Sequence, residues 1–258
     1  MKHAAFLVNT VSAVCLVFVN RRLLGNCAFR YVGFLAGLHM LVTAAVAVHT
    51  GGSNKTATLE KVESMLFMFA TVLSLLCMNA SLMLNHVGVY QITKILMIPA
   101  CAALEYALYG KTMTTHQAGA VVFVIAGVMI ATASDLGADF PGLVMASLGI
   151  LFSSAHNVFC SALTRKYEVD GATLVRLTAP LQAVALVILG PVVDKIFADS
   201  FPWEWERNSH ARGCVTVIAT SCALAALVNL SIAECIRTYS ATGTLLLCLC
   251  VGVLLFRF

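Results

Sequence analysis

The sequence predicts an all-α polytopic membrane protein. Of its 258 residues, 60% are hydrophobic and only 11% charged, with a mean hydropathy of +0.92, whereas about a quarter of the residues of a soluble domain are charged. The apolar runs are continuous on both parities, without the alternation of transmembrane strands, so a β-barrel is not expected. A spanning helix takes about 20 residues, which leaves room for about nine spans with short connections and no soluble catalytic domain.

The spans follow one another legibly. Apolar runs cover Ala4–Val19, Tyr31–His49, Met65–Leu84, Val89–Tyr109, Gln117–Ala133, Gly142–Leu163, Leu174–Ile196, Cys214–Ala233 and Ala241–Phe256. Polar breaks separate them: Arg21-Arg22 to Arg30, Thr50 to Glu63, Asn85 to Gly88, Lys111 to His116, Asp135 to Pro141, Arg165 to Gly171, Asp194 to Arg212, and a short joint near Arg237. The first run follows Lys2 but lacks a small-x-small cleavage site, so it reads as a span and not a signal peptide.

Charge bias does not orient the chain. Lys2, Lys55, Lys61, Lys111, Arg165, Lys166 and Arg237 fall on the N-terminal side, against Arg21, Arg22, Arg30, Lys195, Arg207, Arg212 and Arg257 on the other, so the positive-inside rule gives no winner. The sequon Asn54-Lys55-Thr56 would require a lumenal N-terminus if it carried a glycan. The net charge of +4 is scattered and implies no nucleic-acid partner. Ten cysteines include no Cys-x-x-Cys pair, and Cys15, Cys77, Cys101, Cys160, Cys222, Cys248 and Cys250, within apolar runs, read as lipid- or helix-facing fillers.

Polar residues inside spans call for an explanation, because charge in hydrocarbon is costly. Lys94 sits five residues into the fourth run, with Tyr90 and Met97 on its helical face and Thr93 at the edge. That set suits an anionic solute carrying a ring; the alternative is a lysine snorkelling to headgroups. Glu105 is three turns further on, about 16 Å from Lys94, too far to pair with it. It fits headgroup contact, a gate salt bridge or substrate binding, and Pro99 between the two should kink the helix. Arg176 and Glu234 lie near span ends, and His39 and His156 fit helix-to-helix hydrogen bonds in preference to a proton relay. An echo links two spans: Asn79-Ala80-Ser81 ends the third and Asn229-Leu230-Ser231 ends the eighth. Such symmetry marks transporters built from repeats, or else coincidence among small residues. No P-loop, zinc-protease or nucleophile-elbow motif occurs, so catalytic residues, metal and cofactor are not expected.

The run Asn79-Ala80-Ser81-Leu82-Met83-Leu84-Asn85-His86-Val87-Gly88-Val89-Tyr90-Gln91-Ile92-Thr93-Lys94, followed by Met97-Ile98-Pro99 and Leu104-Glu105, resembles the fourth-helix signature of nucleotide-sugar transporters. These are relatives of the triose-phosphate translocators within the drug/metabolite transporter superfamily, and the similarity extends to the UDP-rhamnose/UDP-galactose and UDP-xylose branch. Val17-Phe18-Val19-Asn20, Leu38-His39, Thr178-Ala179-Pro180-Leu181-Gln182-Ala183, Gly190-Pro191, Asp194 and Asn229-Leu230-Ser231 also match, so the resemblance runs from Phe6 to Arg237.

The resemblance implies a ten-helix fold of two inverted five-helix halves: residues 1–135, and residues 141–258 with the last helix missing. It implies a multi-pass Golgi or other endomembrane protein with its N-terminus in the cytosol, compatible with a homodimer. The implied activity is exchange of a cytosolic UDP-sugar (UDP-galactose, UDP-rhamnose or UDP-xylose) for lumenal UMP across the bilayer. Lys94 would meet the phosphates, and Tyr90, Gln91, Thr93 and Asn79 would contact base or sugar. The departure is at the ninth helix, where Gly243 stands in place of the lysine of the family's Gly-His-x-Lys-Thr element and the chain stops at Phe258. Arg176 is then a replacement cation. The other readings are transport of a smaller phosphorylated anion, and a truncated membrane protein that does not transport.

Overall fold

The computed structural model describes residues 2–50, 57–85, 87–132, 140–207, 211–239 and 241–245. Eight helices occupy most of them: α1 Lys2–Gly25, α2 Val32–Thr50, α3 Lys61–Leu84, α4 Val87–Tyr109, α5 Thr115–Thr132, α6 Phe140–Lys166, α7 Gly171–Ala198 and α8 Ala211–Tyr239. Residues 241–245 are helical as well, a 3-10 turn covers Pro202–Arg207, and no strand occurs among the described residues. Five of the helices are long and apolar enough to cross a membrane. A helix satisfies its own backbone, which hydrocarbon demands. That pressure outlasts the apolar run: α1 continues through Arg22 and α6 through Lys166, because a hydrogen-bonded backbone is still favoured at the headgroup boundary.

The expected sequon and the acidic turn between the fifth and sixth runs lie outside the described residues, as do His86, most of the ninth run and the side chains of Tyr90 and Gln91.

Three pairs of helices make the most extensive contacts: α2 with α7, α3 with α6, and α1 with α8. The α2–α7 crossing is made of glycine. A Cβ at Gly33 would lie 2.6 Å from the carbonyl oxygen of Gly190, and one at Gly37 would press on the backbone of Leu186 at 3.2 Å. Small residues four apart let two backbones touch, which is how helices gain packing where lipid offers no hydrophobic drive.

Asp194, fully buried near the end of α7, closes the same crossing. Its carboxylate accepts from the backbone N–H of Gly33 at 2.8 Å and of Phe34 at 2.7 Å. These are first-turn donors of α2 with no partner in their own helix. The carboxylate therefore caps a helix from a different element, where the macrodipole also favours negative charge.

At the same distal end Cys27, after α1, and Cys214, in the first turn of α8, form a disulfide. The indole of Trp205 donates to the carbonyl of Cys27 at 3.1 Å and meets Phe29 edge-on. Together with Leu23, Tyr31 and Leu35 these residues build a small core over the helix ends. The filler reading of the in-span cysteines stands where they are described: Cys77, Cys101, Cys160 and Cys222 are buried and Cys15 is exposed, all unpaired.

The N-terminal end is closed by apolar packing of α3, α4, α6, α7, α8 and the 241–245 turn around Phe67, Cys101, Leu163, Leu174 and Ile236. Ion pairs fringe it. Lys166 meets Glu63 at 2.6 Å, and Arg237 meets Glu234, whose carboxylate also accepts from the N–H of Gly171 at the start of α7.

Candidate functional site

The orientation of Lys94 follows from the burial of its neighbours along α4. At about 100° per residue, Lys94, Ile98, Cys101 and Glu105 fall on one stripe. The last three are 2%, 0% and 5% exposed. On the opposite side Leu96, Ala103 and Tyr106 are exposed, in the direction expected of a lipid-facing surface. Lys94 is exposed although it belongs to the buried stripe. A snorkelling lysine is expected on the lipid side of its helix, whereas Lys94 is on the side that packs against the protein.

The rest of the α4 stripe is occupied by packing. The carbonyl of Met97 accepts from Ser154 at 3.4 Å and its thioether from Asn157 at 3.9 Å, so Met97 belongs to the contact with α6. Thr93, at the edge of the Lys94 face, is buried. Glu105 accepts from Lys111 at 2.9 Å and from Thr242 at 2.8 Å. Of its three sequence readings, the structure favours the salt bridge, made with a loop lysine and tied to residues 241–245.

Asn79, in α3, donates to the carbonyl of Val32 in α2 at 3.3 Å. Its echo Asn229, in α8, donates to Thr43 of α2 at 3.0 Å. Ser81 accepts from Asn85 at 3.0 Å and Ser231 from Asn9 at 3.1 Å. Both members of the echo thus make polar contacts rather than line lipid. Arg176 is half-buried on α7, on the side that also carries the buried Ala179 and Ala183.

The two span histidines make interhelical hydrogen bonds, as expected, and each belongs to a three-helix triad. His39 of α2 meets the hydroxyl of Ser221 of α8 at 2.8 Å, and Ser221 donates to Asn20 of α1 at 2.5 Å. His156 of α6 meets the hydroxyl of Thr71 of α3 at 2.8 Å, and Thr71 accepts from Gln182 of α7 at 3.2 Å. The hubs Thr71 and Ser221 were not singled out in the sequence reading. The signal that finds them is spacing: Thr71 and Ser221, Asn79 and Asn229, and Ser81 and Ser231 are each separated by 150 residues.

Among the described residues no cluster of histidine, cysteine or carboxylate side chains could hold a metal.

Comparison with known proteins places these features in a family. No family model matches the chain. The UDP-rhamnose/UDP-galactose transporter 1 of Arabidopsis thaliana is 33% identical over 244 residues, covering 93% of this chain and 69% of the relative. The UDP-rhamnose/UDP-galactose transporter 3 of the same plant is 32% identical over 243 residues, with the same coverage of both chains. Its UDP-xylose transporter 2 is 28% identical over 253 residues, or 95% of this chain and 70% of the relative. At this identity, over nearly all of its length, the chain is a multi-pass membrane protein that belongs to the family of nucleotide-sugar transporters.

Proposed function

We propose that this protein exchanges a cytosolic UDP-sugar for lumenal UMP across an endomembrane, the Golgi foremost, through one central site that opens alternately to the two sides. The observation that carries the reading is Lys94: a cation on the protein side of α4, yet exposed. A diphosphate cannot cross hydrocarbon unless its charge is met, and a lysine on the protein side of a span can meet it through charge-assisted hydrogen bonds. Tyr90, Gln91, Thr93 and Asn79 would order the base or sugar around it, with Arg176 of α7 as a second cation. A nucleotide and a phosphate are common to both solutes, so one site can serve both directions.

Two further observations support the reading. The triads Asn20–Ser221–His39 and His156–Thr71–Gln182 interchange when α1, α2 and α3 are mapped onto α6, α7 and α8. The contact pattern does likewise, with α1–α8 exchanging for α3–α6 and α2–α7 mapping onto itself. Both favour inverted halves, 1–135 and 141–258, with the site between them. The disulfide favours the orientation. Disulfides persist on the oxidising face of an endomembrane, so the Cys27–Cys214 end would be lumenal and the N-terminus cytosolic. Asn54 joins the end of α2 to the start of α3 and would then remain unglycosylated.

The test is uptake of radiolabelled UDP-galactose, UDP-rhamnose and UDP-xylose into proteoliposomes loaded with UMP or left empty. Uptake of at least one sugar that depends on internal UMP is expected. Equal uptake with and without UMP would overturn exchange, and no uptake of any UDP-sugar would overturn the substrate class.

A further inference from the structure

We propose that a groove between α3 and α4, at the N-terminal end of the bundle, binds an anionic glycerophospholipid whose phosphate is held by Arg165. Both α3 and α4 pack on α6 but barely touch each other. The gap between them is a cavity of about 400 Å³ floored by α6. Its interior is mostly carbon: Val158, Phe159 and Ala162 form the floor, and Leu66 and Tyr109, more than half exposed, stand at the walls. Its rim is charged, with Lys111, Arg165 and Lys166 beside the carboxylates of Glu63 and Glu105.

The charges at the rim divide unevenly. Lys111 is taken by Glu105 at 2.9 Å and Lys166 by Glu63 at 2.6 Å. Arg165 is exposed at the end of α6 and makes no ion pair among the described residues. One guanidinium is therefore left at the mouth of an apolar groove, at the height where a spanning helix meets headgroups. A phosphodiester carries one negative charge, and a guanidinium meets two of its oxygens in parallel. Carbon walls below that point suit acyl chains.

A nucleotide sugar fits the groove less well. Its second phosphate and its hydroxyls would find few partners on carbon walls. The groove also lies beside Glu105, about 16 Å along α4 from Lys94. In the orientation proposed above, on which the choice of leaflet rests, the groove opens to the cytosolic leaflet, the one rich in anionic lipid.

Native mass spectrometry of the full chain in detergent, with added phosphatidylinositol or phosphatidylcholine, tests the proposal whatever the outcome of the transport assay. Phosphatidylinositol should be retained in preference to phosphatidylcholine. Arg165→Gln should weaken that retention about five-fold, the worth of one basic group beside an anionic surface. Lys195→Gln, at the other end of the bundle, should leave it unchanged. Ala162→Trp, which fills the groove without removing a charge, should abolish it, and so provides a check should Arg165→Gln fail to fold. Equal retention of the two lipids, or unchanged retention in both groove variants, would overturn the proposal. So would displacement of phosphatidylinositol by UDP, which would make the groove a vestibule for nucleotide.

Discussion

Replacing Asp194 by alanine should loosen the whole α2–α7 crossing. The carboxylate is fully buried and receives two short backbone hydrogen bonds, from Gly33 and Phe34. Each buried N–H left without an acceptor costs about 1–3 kcal/mol, and part of the sum is returned because a charge need no longer be desolvated. The net loss should be about 2–4 kcal/mol. Glycine packing at the same crossing, with Gly33 against Gly190, leaves no side chain that could swing in to replace the acceptor. At about 2–4 °C per kcal/mol for a chain of this size, the midpoint of thermal aggregation in detergent should fall by about 10 °C. Asp194→Asn keeps one acceptor oxygen and turns an amide donor toward the other N–H, so its loss should be intermediate. Alanine and wild type melting together would refute the cap, and asparagine melting below alanine would refute the claim that accepting two N–H groups is what the side chain contributes.

Gly190→Ala would bring a Cβ against the carbonyl of Gly33, a contact no side chain can yield to; a cost of about 1–3 kcal/mol is expected in the same melting assay, and an unshifted midpoint would contradict the close crossing. Thr71→Val and Ser221→Ala each remove the hub of one triad. Interhelical hydrogen bonds in membranes average about 0.6 kcal/mol, so with two bonds lost each variant should cost about 1 kcal/mol. A large penalty for one hub and none for the other would argue against the equivalence of the halves. Cys27 and Cys214 should take up a maleimide mass tag only after reduction, and labelling of both without reductant would remove the basis for the orientation.

The helices were legible because continuous apolar runs admit little else in a bilayer, and the breaks at Arg21-Arg22, Asn85 and Lys111 fell close to the observed ends. The interhelical roles of His39 and His156 were legible for a similar reason, since a polar ring in hydrocarbon must find a partner. Other features were hidden by distance along the chain. Asp194 caps a helix that begins about 160 residues earlier, so no local capping pattern announces it. Cys27 and Cys214 are separated by 187 residues; their only sequence signal is that both sit at polar boundaries on the same side. Lys94 lay between these cases. Its chemistry was plain, but which side of α4 it occupies is read from the exposure of Leu96 and the burial of Ile98 and Cys101, a difference that α4 acquires only when it packs on α6.

The central claim is that Lys94 faces an aqueous, substrate-binding cavity, and the most direct measurement is the accessibility of a cysteine placed there. In a background without reactive thiols, Lys94→Cys should react with a membrane-impermeant thiosulfonate applied in water, and UDP-sugar or UMP should slow that reaction. Leu96→Cys, on the opposite side of α4, should not react. Inert Lys94→Cys beside reactive Leu96→Cys, or labelling of Lys94→Cys that neither solute slows, would contradict the account.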